Sequence, residues 1–149
     1  MRAVIQRVSQ ASVRVKEEQI GQIQTGLLVL LGVEEGDDAS DLEYIVQKTI
    51  HLRIFPDENG KMNRSLQDVG GAVFVVSQFT LLGDARKGRR PGFTRAADPE
   101  VANDYFQKAV QAFQAAGIPT QQGRFMADMQ VSLCNQGPTT ILLDSRKLF

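Results

Sequence analysis

The stretch from Gly70 to Leu81 constrains this chain more than any other. Ala72-Val73-Phe74-Val75-Val76 is a short, apolar, largely β-branched run of the kind that forms a buried strand. It ends in Ser77, Gln78 and Thr80, polar side chains that an apolar core does not accept without partners. A rigid strand that delivers polar groups at its end is a natural place for a site. Met129 to Thr140 repeats the design: an alternating segment runs into Gly137-Pro138, a turn signal, before an apolar run resumes. The two strand ends are expected to meet at one locus.

The remaining segments supply the scaffold. Met1 to Val8 and, after Ser9-Gln10, Ala11 to Lys16 alternate as two successive strands, an antiparallel beginning. Leu27 to Val33 is apolar on both faces and reads as a central strand. Leu42, Ile45, Val46, Thr49, Ile50 and Leu52 are spaced as the buried stripe of a helix, with Ser40 as N-cap and Glu43 at the capping-box position. The acidic run Glu34 to Asp41 before it reads as a solvated helix start rather than a metal site. Pro56 to Gly60 is a turn; as a calcium loop its glycine comes too early and the twelfth-position glutamate is missing. A second helix opens at Asp98-Pro99, buries Val101, Tyr105, Phe106, Ala109, Val110 and Phe113, and stops at Gly117. Strands are expected at Thr120 to Gly123, Met129 to Asn135 and Thr139 to Asp144. The fold class is therefore α+β: one domain over residues 1–149, with a largely antiparallel or mixed sheet or barrel-like core and two main helices outside it.

Seventeen Lys and Arg balance seventeen Asp and Glu, so attraction to a nucleic acid would have to come from a local patch. Such a patch exists between Gly83 and Arg95, where Arg86, Lys87, Arg89 and Arg90 stand in a Gly- and Pro-broken loop. The loop reads either as a phosphate-contacting element or as a solvated loop without a partner. A single cysteine, Cys134, forms no internal disulfide, and neither a signal-peptide core nor a bilayer-length run is present, so a cytoplasmic, non-membrane protein is expected. His51 has no Ser/His/Asp or zinc-ligand surroundings, and Cys134 has no local cation to activate its thiol. Thr80 would need a base to act as a nucleophile, and none is near it in sequence. If the chain is a hydrolase, polar strand ends and backbone amides must carry the work.

The segments MRAVIQRVSQASV, LRIFPDENGKMNRSL, SQFTLLGD, KGRRPGF and GRFMADMQVSLCNQGPTT together closely resemble the D-aminoacyl-tRNA deacylases, the D-tyrosyl-tRNA deacylase family, over nearly the whole chain. The resemblance implies a homodimeric enzyme that hydrolyses the ester of D-aminoacyl-tRNA, and of mischarged glycyl-tRNA, with the tRNA's own ribose 2′-hydroxyl assisting in place of a side-chain nucleophile. It implies that the Phe79 and Thr80 backbone amides face the ester while Ser77 and Gln78 hold the pocket, with Thr80 as nucleophile the second reading. It implies that Gly137-Pro138 forms a cis turn that enters the partner's pocket and excludes L-amino acids. Phe125 and Met129 would flank the terminal adenine, Arg7 would support the turn, and Arg86, Lys87, Arg89 and Arg90 would contact tRNA. No cofactor or metal is called for. Met126, Gln136 and Thr139 depart from the family's usual small residue, acid and valine. Two other readings compete: a noncatalytic tRNA-binding module using the basic loop, and a small-molecule esterase, for which a nucleophile and base are missing.

Overall fold

The computed structural model describes all of residues 1–149. Its organising element is β1 (Arg2–Val15), which pairs antiparallel with β3 (Gly26–Gly32) through its first half and with β2 (Glu18–Ile23) through its second. Those two share one edge in succession. β8 (Met129–Asp144) runs antiparallel along the other edge for the whole length. Beyond β3 the sheet continues in parallel to β6 (Ala72–Ser77) and then β7 (Thr120–Gln122). The sheet is mixed and curls into a nearly closed barrel. A small separate ribbon joins β4 (Phe55–Pro56) to β5 (Met62–Arg64).

Burial on both faces explains why β3 and β6 read as unbroken apolar runs. Val73 and Val75 face a large core shared with Ile45, Val46 and Ile50 of α1 (Ala39–His51) and Phe106 and Phe113 of α2 (Pro99–Ala115). Phe74 and Val76 face the other way, into a smaller core with Val8, Val13 and Ile23, against which Met129 and Val131 pack. Each large apolar side chain so buried contributes roughly 1.5–3 kcal/mol. No helix is long and apolar enough to cross a membrane.

Five local expectations are corrected, the first being that Val101 is exposed in the opening turn of α2, where Ala102 takes the buried position instead. The N-cap of α1 is Asp38, not Ser40: its carboxylate accepts from the backbone of Ser40 at 2.8 Å, and Asp41 closes the capping box on the Asp38 N–H at 2.8 Å. The Ser40 hydroxyl donates to Asp38 as well and is the largest reason that its carboxyl is held below the usual carboxylate range. Glu34 and Asp37 are not solvated. They are buried and neutralise Arg95, Arg146 and the Met1 amino group. The two expected N-terminal strands are one, because Ser9–Gln10 sits at a shift of register rather than a turn. The last two expected strands are likewise one, β8, with the Gly-Pro turn folded out of it.

Candidate active site

A cleft of roughly 500 Å³ opens where β3 and β6 end beside the start of α2. Its walls are apolar, formed by Leu31, Val33 and Val76 from the sheet, Ala96, Ala97 and Ala102 from the approach to α2 and its first turn, and Phe106, Phe125, Met129 and Val131 beyond. Ser77 and Gln78 are the only polar side chains lining it, and no ionisable side chain does. His51 ends α1 in solvent, its ring at 2.9 Å from the Gln47 carbonyl, and Cys134 is exposed on β8. Neither lines the cleft.

The parallel ladder positions the polar end. Gln78 N–H donates to the Leu31 carbonyl at 2.8 Å, extending the β3–β6 pairing one step past Ser77. The chain then leaves the strand and turns through a short 3-10 helix, Phe79–Leu82. Leu81 N–H closes this turn on the Gln78 carbonyl at 3.2 Å. The first N–H groups of a helix have no partner within it, which leaves those of Phe79 and Thr80 without one in the turn. Both residues are exposed. The Thr80 hydroxyl accepts from the Gln78 side-chain amide, and no base stands beside it.

Phe125 and Met129 lie together on the cleft wall, Phe125 tilted against Phe106 at 6.0 Å between ring centres. Met126 stands at the mouth, 76% exposed, with a left-handed φ of 61°. The basic loop is tied down at its base and open at its tip. Asp84 and Gly92 exchange backbone hydrogen bonds of 2.7 and 2.9 Å, while Arg95 N–H groups donate to the buried Glu34 carboxylate. Arg86 pairs with Asp84, and its side-chain hydrogen bonds are the first reason that the Asp84 carboxyl sits well below the usual carboxylate range. Lys87, Arg89 and Arg90 are exposed and make no ion pair.

Gly137 and Pro138 lie elsewhere. Pairing between β1 and β8 passes from Val8↔Asn135 to Gln6↔Thr140, so the residues from Gln136 to Thr139 stand out opposite Arg7. The Gly137–Pro138 bond is cis and Gly137 has φ +123°. The buried Arg7 guanidinium donates to the Gln136 carbonyl at 3.1 Å and to the Ile54 carbonyl, and Asn135 accepts from Thr139 N–H at 3.0 Å. The turn does not line the cleft of its own chain, so within one chain the two strand ends do not meet. The structure thus gathers Ser77, Gln78, Phe79, Phe125 and Met129, leaves Thr80 just outside, and keeps Arg7, Gly137 and Pro138 out of the cleft. The walls from Leu31, Ala96, Ala97 and Phe106 carried no local signal; Val131 did, since it alternates with Met129 on one strand face.

A family model described as D-Tyr-tRNA(Tyr) deacylase matches residues 4–144. Among curated proteins, the D-aminoacyl-tRNA deacylase of Clostridioides difficile (strain 630) is 57% identical over the full length of both chains, and that of Desulforudis audaxviator (strain MP104C) is 55% identical over the same extent. Among solved structures, one titled c-Myc DNA Unwinding Element Binding Protein superposes with a TM-score of 0.92 at 40% identity, covering 97% of this chain and 98% of that one. A probable eukaryotic D-amino acid tRNA deacylase shares the fold at a TM-score of 0.78 and 17% identity, over 95% of this chain and 97% of its own.

Proposed function

Because the chain belongs to the D-Tyr-tRNA(Tyr) deacylase family and so is a D-aminoacyl-tRNA deacylase, a hydrolase of aminoacyl-tRNA, we propose that the cleft beyond β6 holds the terminal adenosine and its esterified amino acid. The observation that carries this is an apolar cleft without an ionisable side chain, reached at one end by Phe79, the first residue of the 3-10 turn that follows β6. Water adds to the acyl carbon, the acyl–oxygen bond to the ribose breaks, and the proton ends on the released 3′-oxygen. The Phe79 and Thr80 N–H groups donate to the oxyanion that develops; one such donor is worth roughly 10²–10³ in rate. With no base in the cleft, the ribose 2′-hydroxyl of the substrate assists the water. Ser77 and Gln78 shape the pocket, Gln78 by holding the Thr80 side chain, and Phe125 and Met129 flank the adenine. Lys87, Arg89, Arg90 and Arg86 contact tRNA phosphates and carry no chiral choice.

Selection falls to Gly137–Pro138. The turn is outside the cleft of its own chain, so it can act on an ester only from a second copy, and the working unit in this reading is a homodimer. Main chain beside the substrate Cα holds the amino group and leaves no room for an L side chain; a D side chain points away, and achiral glycine slips through. Rejection by roughly a thousandfold needs about 4 kcal/mol, which a clash with held main chain supplies more readily than one lost hydrogen bond. The reaction belongs in the cytoplasm, where tRNA is charged. Deacylation of matched D- and L-aminoacyl-tRNA is the test: the D ester is cleaved, the L ester is spared, and a terminal 2′-deoxy substrate is inert. Equal cleavage of both enantiomers would overturn the selector, and full turnover of the deoxy substrate would overturn substrate assistance.

A further inference from the structure

Of eight phenylalanines, only Phe79, Phe93 and the chain-terminal Phe149 are exposed. Phe79 and Phe93 touch, their ring centres 5.2 Å apart and their planes at 69°. Phe79 lines the cleft and Phe93 does not, so Phe93 stands one ring outside its mouth. The ring lies close over Gly83: a Cβ there would come within 3.1 Å of it, so a side chain at that position would push the ring by a few tenths of an ångström. The main chain on both sides is pinned, by the Asp84–Gly92 bridge before it and by Ala96 N–H donating to the Phe93 carbonyl at 3.0 Å after it. The ring, 37% exposed, thus rests against Phe79 and over Gly83 on a held main chain, with part of its apolar surface in water. Its setting is cationic. Arg86 and Arg95 are matched by Asp84 and Glu34, but Lys87, Arg89 and Arg90 in the same loop have no acid partner.

We propose that Phe93 is a stacking platform for the base of the penultimate nucleotide of the substrate, the one that precedes the terminal adenosine. This rests on the cleft holding that adenosine. An aromatic face accepts any base, stacking of this kind is worth roughly tenfold or more in affinity, and adjacent cations take the phosphates on either side. The unpaired cations beside the ring match a polyanion, which a second copy of this chain, with its balanced charge, is not.

The test pairs wild type, Phe93→Leu and Phe93→Tyr with two D-aminoacyl-tRNAs, one natural and one with the penultimate nucleotide abasic. On removal of the base, wild type loses roughly tenfold in kcat/KM through KM alone. Phe93→Leu shows that loss on the natural substrate and none further on the abasic one, and Phe93→Tyr restores the wild-type pattern. Affinity for the uncharged RNAs, which needs no hydrolysis, follows the same coupling, so coupled binding without turnover would refute the deacylase reading and leave the platform standing. Independent, additive losses, or a Phe93→Leu enzyme with wild-type KM, would overturn the platform. So would dissociation of the Phe93→Leu protein into monomers, which would make the aromatic pair a contact between copies.

Discussion

The cleft and the Gly-Pro turn are built in opposite ways. The cleft stands at the end of β6, a strand buried on both faces, and its shape follows from apolar packing with two polar side chains at one rim. The turn projects from β8 opposite Arg7 and owes its shape to a few directed hydrogen bonds, donated by Arg7 to the Gln136 carbonyl and by Thr139 N–H to the Asn135 side-chain oxygen. The first environment suits chemistry in which no side-chain charge competes with the one that develops on the substrate. The second suits a steric gauge whose position depends on named contacts. The turn lies outside the cleft of its own chain, so under the proposed function the two cooperate only between copies.

Breaking the turn should have the largest effect. In Gly137→Ala a Cβ would lie 2.7 Å from both an Arg7 guanidinium nitrogen and the Thr139 hydroxyl, at a φ that L residues rarely adopt. Single-turnover deacylation should fall by about a hundredfold or more, roughly 2.7 kcal/mol of barrier, while circular dichroism shows the fold retained. A near-wild-type rate would mean that the turn takes no part. Arg7→Ala comes next, because it leaves the Gln136 and Ile54 carbonyls without their donor. Stability should drop by about 1–3 kcal/mol, read as a lower Tm, and activity by roughly tenfold or more, with Arg7→Lys failing to restore either because an ammonium cannot reproduce the fork. An intact Tm with a wild-type rate would show that Arg7 does not hold the turn.

Smaller effects sharpen the contrast from the cleft side. Arg89→Ala or Arg90→Ala should weaken tRNA binding and lower the slope of log affinity against log salt by about one each, with the D-to-L rate ratio unchanged. A collapse of that ratio would move part of the selector into the loop. Thr80→Ala should matter least, within about tenfold in single-turnover rate, because the backbone N–H survives and only a hydroxyl already engaged by Gln78 is lost. A loss of several orders of magnitude would make that hydroxyl the nucleophile.

Much of this was legible in the sequence where the physics is local. β3 and β6 were plain from burial on both faces, and both helices from the spacing of their apolar stripes. The α1 cap was misplaced because Asp38, Ser40 and Asp41 all have capping side chains, and only geometry chooses among them. Glu34 and Asp37 misled because Arg95 and Arg146, which neutralise them, are distant in sequence. Ser9–Gln10 looked like a break because sequence does not show that β8 bridges it along the other edge. In the cleft, Ser77 and Gln78 were legible as polar strand-end residues and Phe79, Phe125 and Met129 only through the family resemblance, whereas Ala96 and Ala97 enter through the pairing of Glu34 with Ala96, which no periodicity announces. The Gly-Pro turn was visible as a turn. Its separation from the cleft was not, since that depends on the long register of β8 on β1, which puts Met129 and Val131 in the cleft and the turn opposite Arg7.

The central claim, that one chain supplies the cleft and another the turn, is tested most directly by mixing two inactive proteins. Gly137→Ala keeps an intact cleft, and Ala97→Trp fills the cleft while keeping an intact turn. If sites are shared, mixed dimers verified by native mass spectrometry regain one working site each, and an equimolar, randomly re-paired mixture recovers about a quarter of wild-type deacylation of D-aminoacyl-tRNA. Mixed dimers no more active than either parent would contradict the account and return both parts of the site to a single chain.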